Sequence, residues 1–505
     1  MSTKTAVATE YRNWIGGRWV NAASGKTFED RNPARRDEVV GVFPSSGPED
    51  VDQAQAAAAK AYESWRLVPA PKRGEILIQV GLKLKERKEE IARLMTREMG
   101  KVLVETRGDV QEGIDTAFFI AGEGRRLYGD TTPSELPNKF AMSIRQPIGV
   151  CGLITPWNFP LAIPTWKLFP ALLCGNTAIL KPATDTPGSV AELAKVLEDS
   201  GVPPGVVNIV HGGGREVGMP LVSHPGVRLI SFTGSSEVGQ AIGGVCGQKL
   251  KRCSLELGGK NAQIVLADAD LELALEGALW GAFGTAGQRC TATSRLILDR
   301  PIAARFTDML VERAKRLRLG DGLESNVDVG PVINDAARKR IHEYVEIGKK
   351  EGARLLTGGE PAQDGALAQG SFYRPTIFGD VTPKMRIAQE EIFGPVLSIL
   401  TVDGADQAIE VLNDTPYGLS SSIYTRDVNA AMRAVRDIEA GITYVNGPTI
   451  GAEVHLPFGG VKDTGNGHRE ASHTVLDIFS EWKAVYVDYS GRLQRAQIDT
   501  DALTG

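Results

Sequence analysis

The stretch VRLISFTGSSEVG, residues 227–239, contains the pattern that decides the fold. Its first half is a short run of apolar and β-branched residues, which predicts a buried strand that stops at Gly234. Two serines follow the glycine, and serine is a preferred residue at the start of a helix. The stretch therefore predicts a strand, a glycine turn and a helix in direct succession.

The same pattern recurs on both sides of this stretch. Four more apolar runs alternate with segments that read as helices and begin near proline, serine or glycine. The runs are IGVCGLIT (148–155), TAILKP (177–182), VVNIVHG (206–212) and RCSLELGG (252–259). Strands that alternate with helices in this way form a parallel sheet covered on both faces. Such a sheet binds ligands beside the carboxyl ends of its strands.

A second alternating series begins after residue 260. It consists of NAQIVLADADLELALEGALWGAFG (261–284), SFYRPTIFGDV (371–381), SSIYTRD (421–427) and GITYVNG (441–447). We therefore expect a second α/β domain behind the first, and the predicted fold class is α/β.

Helices are predicted ahead of the first sheet. Residues 48–65 and 71–100 each read as one amphipathic helix, the second ending at Gly100, and a third helix is expected around 109–128. Between this third helix and the sheet, residues 131–149 read as an extended ribbon outside either core.

The segment AVYVDYS (484–490) reads as a further strand, with no obvious partner nearby in the sequence.

Composition narrows the range of functions. The chain has 505 residues, of which 42% are hydrophobic and 24% charged, and its net charge is −5, so no basic surface for nucleic acid or for a membrane is expected. No stretch approaches the roughly 20 apolar residues of a membrane span. The five cysteines form an odd set without a C-x-x-C pair, which argues against disulfides and against a metal site. We expect a cytoplasmic protein.

Several polar residues stand where ligands could bind, and each has a structural alternative. Gly234 and Ser235 could bind a pyrophosphate at a helix start or form an ordinary capped turn, and GGGREVG (212–218) is a weaker candidate for the same task. Glu256, at the end of an apolar run, is either a salt-bridged structural residue or a functional carboxylate. Asn158 in TPWNFP is either a cap or an amide donor to an oxyanion.

Cys290 lies within GAFGTAGQRCTATSR (281–295), a segment of small residues. A free cysteine is often a buried thiol that fills a gap. The small neighbours would equally allow another molecule to approach this sulfur closely.

Six motifs in this order resemble the signatures of the aldehyde dehydrogenase superfamily. They are TPWNFP (155–160), KPAT (181–184), FTGSS (232–236), LELGGK (255–260), GQRC (287–290) and EEIFGP (390–395). The resemblance covers residues 11–490, and the glutamate and cysteine motifs together are highly specific. It implies a Rossmann-like cofactor domain, a second α/β catalytic domain and a β-ribbon oligomerisation element.

The resemblance also divides the chain and implies an assembly. It places an NAD(P)-binding domain at 1–129 and 148–258, a catalytic domain at 259–460, an oligomerisation element at 130–147 and 472–490, and a tail at 491–505. A homodimer or homotetramer follows by analogy, with the tail either disordered or lying over a neighbouring subunit.

The chemistry that the resemblance implies begins at Cys290. In similar proteins the matching thiol attacks an aldehyde carbonyl, and hydride transfer to NAD(P) then leaves a thioester on the sulfur. The alkoxide is stabilised by the side-chain amide that matches Asn158 and by the backbone N–H of the cysteine. Glu256 matches the general base that activates water, so release of a free acid is expected. Relatives that instead acylate coenzyme A typically lack this glutamate.

The resemblance further assigns cofactor contacts. Lys181 matches a residue that binds the adenosine ribose, Gly234 and Ser235 match the pyrophosphate turn, and Glu391 matches the glutamate on the nicotinamide ribose. The full set is Ile154, Pro156, Trp157, Lys181, Thr184, Gly214, Gly234, Ser235, Val238, Leu257, Glu391 and Phe393.

One position departs from the pattern of NAD-preferring relatives. These often carry a glutamate three residues after the lysine, where it repels a 2′-phosphate, whereas this chain has Thr184. With Lys181 and Arg215 nearby, we expect the protein to use both NAD and NADP.

Three residues are candidates for contact with the aldehyde: Glu112, Arg289 and Thr291. A carboxylate and a guanidinium could hold the ammonium and carboxylate of an amino-acid-derived semialdehyde, and GAEVHLPFGG (451–460) resembles the substrate loop of such relatives. Alternatively, Glu112 and Arg289 bond each other or the backbone and leave a pocket for a broad range of aliphatic and aromatic aldehydes.

Two readings from other classes stay open. Cys290 could serve a thiol esterase, although no histidine lies near it in sequence, or the chain could be a catalytically silent binding protein. Retention of Cys290, Glu256 and Asn158 together argues against a silent protein.

Overall fold

The structure is a computed structural model that describes residues 9–498. Its amino-terminal part contains a three-stranded sheet in the order β1-β5-β4, a hairpin of β2 and β3, and four helices. These elements are β1 (Thr9–Glu10), β2 (Asn13–Ile15), β3 (Arg18–Val20), β4 (Thr27–Arg31), β5 (Val39–Pro44), α1 (Pro48–Trp65), α2 (Ala70–Glu86), α3 (Lys88–Met99) and α4 (Leu103–Glu123).

The prediction of one helix over residues 71–100 was wrong. Arg87, with φ −100° and ψ 10°, leaves the helical region and separates α2 from α3. Its guanidinium is held by Glu90 and by Glu192, which fixes the corner. The predicted end at Gly100 is confirmed, since this glycine caps α3 with a left-handed φ of 90°.

The first large sheet has seven strands in the order β12-β11-β8-β9-β10-β2-β3. All five predicted strands are present and parallel to one another, and the hairpin of β2 and β3 extends the sheet antiparallel to β10. The elements from the ribbon onward are β6 (Thr131–Pro133), β7 (Lys139–Pro147), β8 (Val150–Ile154), α5 (Ala162–Leu173), β9 (Thr177–Lys181), α6 (Pro187–Asp199), β10 (Val207–Ile209), α7 (Met219–Ser223), β11 (Leu229–Thr233), α8 (Ser236–Gln248) and β12 (Arg252–Glu256).

The second large sheet also has seven strands, in the order β15-β16-β17-β14-β13-β19-β20, and only β15 is antiparallel to its neighbour. This sheet contains the strands that the second alternating series predicts. The remaining elements are β13 (Ala262–Val265), α9 (Leu271–Phe283), β14 (Arg295–Asp299), α10 (Arg300–Ala314), α11 (Asp335–Lys350), β15 (Arg354–Thr357), β16 (Thr376–Gly379), α12 (Arg386–Gln389), β17 (Val396–Val402), α13 (Gly404–Asn413), β18 (Tyr417–Gly418), β19 (Ser420–Tyr424), α14 (Val428–Asp437), β20 (Ile442–Val445), β21 (Val461–Lys462) and β22 (Ser480–Asp488).

The predicted ribbon and the unpartnered strand form one sheet. β22 pairs antiparallel with β7 over its whole length, from Ser480 opposite Pro147 to Asp488 opposite Lys139, and β6 completes the sheet. The partner of β22 thus lies more than 300 residues away in sequence. Of the predicted tail, residues 491–498 form turns and bends, and 499–505 lie outside the described residues.

Apolar side chains are buried on both faces of each large sheet, as the alternation of strands and helices predicts. No helix within residues 9–498 has both the length and the apolarity to cross a membrane.

Candidate active site

The motif residues gather at one edge of the first sheet. Residues 156–158 follow β8, Lys181 ends β9, Gly234 follows β11 and Glu256 ends β12. Because these strands are parallel neighbours, their carboxyl ends meet at the same edge. Cys290 reaches this edge from the second α/β layer, in the loop between α9 and β14.

Two concave sites meet at Cys290. We call the first the Trp157 cleft. It is lined by Pro156, Trp157, Asn158, Ile163, Thr233, Gly234, Ser235, Leu257, Gly258, Cys290, Arg340, Glu391 and Phe393. We call the second the Trp166 cavity. It is lined by Glu112, Phe159, Ala162, Ile163, Trp166, Thr233, Glu256, Leu257, Arg289, Cys290, Thr291, Gly451, Ala452, Phe458 and Glu470. The empty space in the two sites is about 660 and 710 Å³, including the part that is open to solvent.

Two aromatic rings and a carboxyl group shape the Trp157 cleft. Trp157 and Phe393 meet edge to face at 5.4 Å, and Phe393 holds a left-handed φ of 58°, which is unusual for a bulky residue. Beside them Glu391 Oε1 accepts a hydrogen bond of 3.0 Å from the backbone N–H of Gly259. Burial raises the pKa of Glu391 to about 7.

The start of α8 forms another wall of the Trp157 cleft. Ser235 is the N-cap residue, because its Oγ accepts a hydrogen bond from the backbone N–H of Val238 at 3.4 Å. This cap is compatible with both interpretations of the turn, because it leaves the positive end of the helix dipole directed at the cleft. Val238 itself is half exposed on the first turn of α8.

Some predicted cofactor contacts lie along the same sheet edge but outside the Trp157 cleft. Ile154 is buried opposite Lys181 in the β8–β9 register. Lys181 is also buried, its Nζ donates to the carbonyl of Pro182 at 2.7 Å, and burial lowers its pKa to about 8. Thr184 is half-buried, and Gly214 is exposed at the start of a π-helical turn, residues 214–218.

The residues of this edge fit a nicotinamide dinucleotide. Thr233 Oγ1 is buried in the wall of the Trp157 cleft and makes no hydrogen bond to any residue in the range 9–498. The start of α8 suits a pyrophosphate, and the buried amine of Lys181 and carboxyl of Glu391 are a donor and an acceptor for ribose hydroxyls. In the described part of the chain, no group of three or more metal-ligating side chains could hold a metal ion.

The loop before Cys290 is tightly constrained. Thr285, Ala286 and Gly287 all have left-handed φ angles between 54° and 69°. At Gly287 only glycine fits, because a Cβ atom would lie 2.2 Å from the carbonyl oxygen of Gly394. Asn261 Nδ2 holds the loop from the other side, through a hydrogen bond of 2.7 Å to the carbonyl of Cys290. The sulfur is thereby fixed between the two sites.

Cys290 is half-buried and lines both sites, so a molecule bound in either site can contact its thiol. The apolar surroundings raise the pKa of its thiol to about 12, and the nearby carboxyl groups of Glu391 and Glu256 add to this effect. Hydrogen bonds from the backbone N–H groups of Thr291 and Cys290 act in the opposite direction and lower the pKa of the thiol. The resting form of the residue is therefore a thiol, which must lose its proton before it can attack.

Asn158 is buried with its amide directed at the nucleophile loop. Its Nδ2 donates a hydrogen bond of 3.1 Å to the carbonyl of Gln288. This bond uses one of the two amide hydrogens and fixes the plane of the side chain, so the second hydrogen is available as a donor in the Trp157 cleft.

Glu256 is buried in the wall of the Trp166 cavity, and neither carboxyl oxygen has a hydrogen-bond partner among the described residues. The salt-bridged alternative is therefore wrong for this glutamate. Burial raises the pKa of Glu256 well above its usual range, and the nearby Glu470 carboxylate adds to the effect. Gly459 keeps the space open, because a Cβ atom there would lie 2.7 Å from Glu256 Oε1.

The substrate candidates all line the Trp166 cavity, but Glu112 and Arg289 are not paired with each other. Arg289 donates from Nε to Thr285 Oγ1 at 2.9 Å and from Nη2 to Glu105 Oε1 at 3.0 Å. Glu112 is desolvated, which raises its pKa to about 8, so its carboxyl group is mostly protonated at neutral pH. Thr291 lies beside Cys290 in the same wall.

Sequence analysis missed several residues of the site. Asn261 holds two carbonyls of the nucleophile loop, and its position directly after LELGGK was an available signal. Trp166 and Phe458, whose rings meet at 4.8 Å, wall the Trp166 cavity. Glu470 lines it too and pairs with the buried Lys167. Phe458 lies in the quoted stretch 451–460, whereas Trp166 and Glu470 belong to none of the quoted motifs and reach the site only in the folded chain.

Comparisons with known proteins agree with this site. The sequence matches the aldehyde dehydrogenase family over residues 19–485. It is 42% identical over 477 residues to the alpha-ketoglutaric semialdehyde dehydrogenase of Bacillus subtilis, covering 94% of this chain and 98% of that protein. It is 43% identical over 475 residues to the 2,5-dioxopentanoate dehydrogenase of Saccharolobus solfataricus, with the same two coverages.

Solved structures share the fold as well. A 1.90 Å crystal structure of betaine aldehyde dehydrogenase from Staphylococcus aureus in complex with NAD+ matches with a TM-score of 0.93 and 34% identity, covering 95% of each chain. The chain therefore belongs to the aldehyde dehydrogenase family and is an NAD(P)-dependent aldehyde dehydrogenase.

Proposed function

We propose that this enzyme oxidises a semialdehyde whose far end is a 2-oxo carboxylate, of the 2,5-dioxopentanoate type, to the corresponding dicarboxylic acid. The observation that carries the proposal is the Arg289 guanidinium, which lines the Trp166 cavity directly beside the cysteine. The names of two relatives, which refer to alpha-ketoglutaric semialdehyde and to 2,5-dioxopentanoate, support the same class of substrate.

Arg289 is oriented in a way that suits a carboxylate. Its Nε and Nη2 are engaged by Thr285 and Glu105, so Nη1 is the guanidinium nitrogen that makes no hydrogen bond to a described residue. Glu105 also accepts hydrogen bonds from the backbone N–H of Thr285, which fixes the pair to the nucleophile loop. A guanidinium held in this way donates to a carboxylate without having to reorganise.

Glu112 favours a 2-oxo group over an ammonium group. At neutral pH its carboxyl group is largely protonated, since its pKa is raised to about 8, and a protonated carboxyl donates a hydrogen bond to a keto oxygen. The second candidate is the amino-acid-derived semialdehyde, because a bound ammonium would favour the ionised form of Glu112. A broad-specificity enzyme is the third, supported by the apolar wall of Trp166 and Phe458.

The chain's own residues divide the reaction among them. Cys290 Sγ attacks the aldehyde carbon, and the Asn158 amide and the Cys290 backbone N–H stabilise the oxyanion that forms. A nicotinamide dinucleotide held in the Trp157 cleft would supply the hydride acceptor, and Cys290 would carry the resulting thioester. Glu256 takes a proton from water as the water oxygen attacks the thioester carbonyl, and the C–S bond then breaks to release the acid and the Cys290 thiolate. Because both Glu256 oxygens lack partners among residues 9–498, the carboxylate is free to bind that water.

For the cofactor we propose use of both NAD and NADP. Thr184 carries no charge that would repel a 2′-phosphate, and Arg215 is exposed on the neighbouring 214–218 turn. Glu216 and Asp185 act in the opposite direction, since both carboxylates lie near Lys181. The proposed contacts with the adenosine end are Ile154, Lys181, Thr184, Gly214 and Val238. The proposed contacts in the cleft are Pro156, Trp157, Gly234, Ser235, Leu257, Glu391 and Phe393.

We further propose a cytoplasmic homodimer or homotetramer with the domain boundaries given above. β22 lies at an edge of its sheet, with an unpaired backbone that a second copy could extend. Trp482, Tyr486 and Val487 are each about half to two-thirds exposed on this strand, which is typical of an interface. Sedimentation velocity of the full chain tests this, and a monomer at micromolar concentration would contradict it.

Steady-state kinetics with a matched panel tests the substrate. We expect kcat/KM to fall in the order 2,5-dioxopentanoate, aminoadipate semialdehyde, hexanal, measured by the absorbance of the reduced cofactor with NAD and with NADP. Aminoadipate semialdehyde in first place would favour the amino-acid class. Equal values for all three would favour a broad-specificity enzyme.

A further inference from the structure

Two cysteines outside the active site form a pair. Cys246 lies in the last turn of α8, Cys253 lies in β12, and a turn of residues 249–251 joins the two elements. The turn is tight, because the backbone N–H of Lys251 donates back to the carbonyl of Cys246 at 2.9 Å. Cys246 consequently lies in an apolar cluster between the helix and the strand, Cys253 packs against the same cluster, and the two thiols shift each other's pKa.

The two thiols differ in environment. Cys246 is fully buried, whereas Cys253 is partly exposed. The interaction between the two thiols lowers the pKa of Cys253 to about 7 and raises the pKa of Cys246. One partner is therefore accessible and readily ionised, and the other is held next to it as a thiol, which are the attributes of an attacking and a resolving cysteine.

Cys253 is also connected to the end of β12 that carries Glu256. Asn466 Nδ2 donates to the carbonyl of Cys253 at 2.9 Å and to its sulfur at 3.6 Å. The Oδ1 of Asn466 accepts from the backbone N–H of Leu255 at 2.9 Å. The preceding residue, Gly465, forms an isolated β-bridge with Glu256, so Asn466 clamps the strand just before the glutamate.

We infer that Cys246 and Cys253 are a redox-sensitive thiol pair, which a peroxide converts into a disulfide that weakens the Asn466 clamp on β12. The Cys253 thiolate attacks one peroxide oxygen, the O–O bond breaks, and a sulfenic acid forms as the first water leaves. The sulfur of Cys246 then attacks that of Cys253, an S–S bond forms, the S–O bond breaks, and the Cys246 proton leaves with the second water. Two thiols lose two electrons in total, and the peroxide is reduced to water.

The structural part of this inference is independent of the proposed function. The effect on turnover rests on the role of Glu256, because disulfide formation would draw the Cys253 sulfur away from Asn466 and shift the strand that carries this glutamate. A displacement of a catalytic group by 1 Å costs up to about 100-fold in rate. The two parts are therefore tested separately.

Disulfide mapping tests the pair itself. The full chain with Cys290→Ala is treated with hydrogen peroxide, its free thiols are blocked, and it is digested with trypsin, which cuts at Lys249, Lys251 and Arg252 between the two cysteines. We expect a peptide pair that is linked before reduction and separate afterwards, forming faster as pH rises through 7. The variants Cys246→Ser and Cys253→Ser in the same background are the controls. Oxidation of Cys253 to a sulfinic acid with no linked pair would overturn the inference.

Activity measurements test the consequence. The chain with intact Cys290 is compared with its Cys246→Ser/Cys253→Ser double variant after the same peroxide treatment, so that oxidation of Cys290 is common to both. We expect a larger loss of kcat in the wild type and recovery of the difference with dithiothreitol. Equal losses alongside a mapped disulfide would overturn the link to Glu256. Loss of basal aldehyde oxidation in the untreated double variant would instead mean that the active site needs the two thiols for its folded structure.

Discussion

The Trp157 cleft and the Trp166 cavity share Cys290 but are built in different ways. The Trp157 cleft draws on short contiguous motifs that follow neighbouring parallel strands, such as TPWNFP after β8 and the glycine turn after β11. The Trp166 cavity uses some of the same motifs, through Phe159, Thr233 and Glu256, and adds single residues from α4, α5 and the chain around 451–470. A cofactor of fixed shape favours a compact set of motifs, whereas a variable substrate is enclosed by residues that can change one at a time.

Cys290→Ala removes the sulfur that the two sites share, and it should have the largest effect. We expect kcat for every aldehyde to fall by at least about 1,000-fold, because the covalent route is lost. Cofactor binding, measured by fluorescence titration, should stay within about twofold of the wild type, since a dissociation constant changes little when no charged contact is lost. Cys253→Ser is the control for loss of a thiol elsewhere. Substantial turnover by Cys290→Ala would contradict a thioester route.

Glu256→Gln tests the side of the Trp166 cavity that faces Cys290. We expect a burst of reduced cofactor followed by turnover about 100- to 1,000-fold slower, because the acyl group stays on the sulfur without a base to activate water. Intact-protein mass spectrometry should detect this acyl-enzyme. In the wild type the raised pKa of Glu256 means that deacylation should speed up as pH rises and the carboxyl group ionises. Deacylation at an unchanged rate in the variant would assign the base elsewhere.

These two predictions concern residues that the sequence already identified, and the reason is geometric. A strand end followed by glycines, as in LELGGK, leaves Glu256 at a sheet edge whatever the rest of the chain does. The pairing of Arg289 with Glu105 could not be foreseen in this way. It depends on how α4 packs against the nucleophile loop, and the resemblance to the family placed only Glu112 of α4 toward the channel.

Pairings between residues that are distant in sequence could not be predicted for the same reason. β22 pairs with β7, which lies more than 300 residues earlier in the sequence. Glu470 lies in a loop without a motif and pairs with Lys167. The break between α2 and α3 was hidden because apolar spacing continues through Arg87, while the side chain is held by Glu192 from another helix. In each case the information lies in tertiary packing, and local propensity says nothing about it.

Arg289→Leu sharpens the comparison by removing the guanidinium from the wall of the Trp166 cavity, together with its bonds to Thr285 and Glu105. A hydrogen-bonded charge contact contributes about 1.5–3 kcal/mol, so we expect KM for 2,5-dioxopentanoate to rise about 10- to 100-fold. KM values for hexanal and for the cofactor should stay near those of the wild type. Arg289→Lys, which keeps the charge, should recover part of the loss. An equal rise in KM for hexanal would mean that the variant disturbs the loop around Cys290 instead of a carboxylate contact.

Thr184→Glu makes the matching change on the cofactor side. A new carboxylate near the adenosine ribose should repel a 2′-phosphate and lower kcat/KM for NADP by about tenfold, or about 1.4 kcal/mol, while leaving that for NAD near the wild-type value. Thr184→Gln introduces a side chain of nearly the same size without the charge, so it separates the effect of charge from the effect of size. Equal losses with both cofactors would place residue 184 outside the region that distinguishes them.

The pH dependence of aldehyde binding provides the smallest and most specific test of the Trp166 cavity. Because burial raises the pKa of Glu112 to about 8, its carboxyl group donates a hydrogen bond below that pH and becomes a repulsive anion above it. Losing a bond worth about 1 kcal/mol should raise KM for 2,5-dioxopentanoate about fivefold between pH 7 and pH 9. Glu112→Gln keeps a donor that does not titrate, so its KM should stay flat over this range. A KM that falls with pH in the wild type would mean that Glu112 binds as a carboxylate, which favours a substrate with an ammonium group.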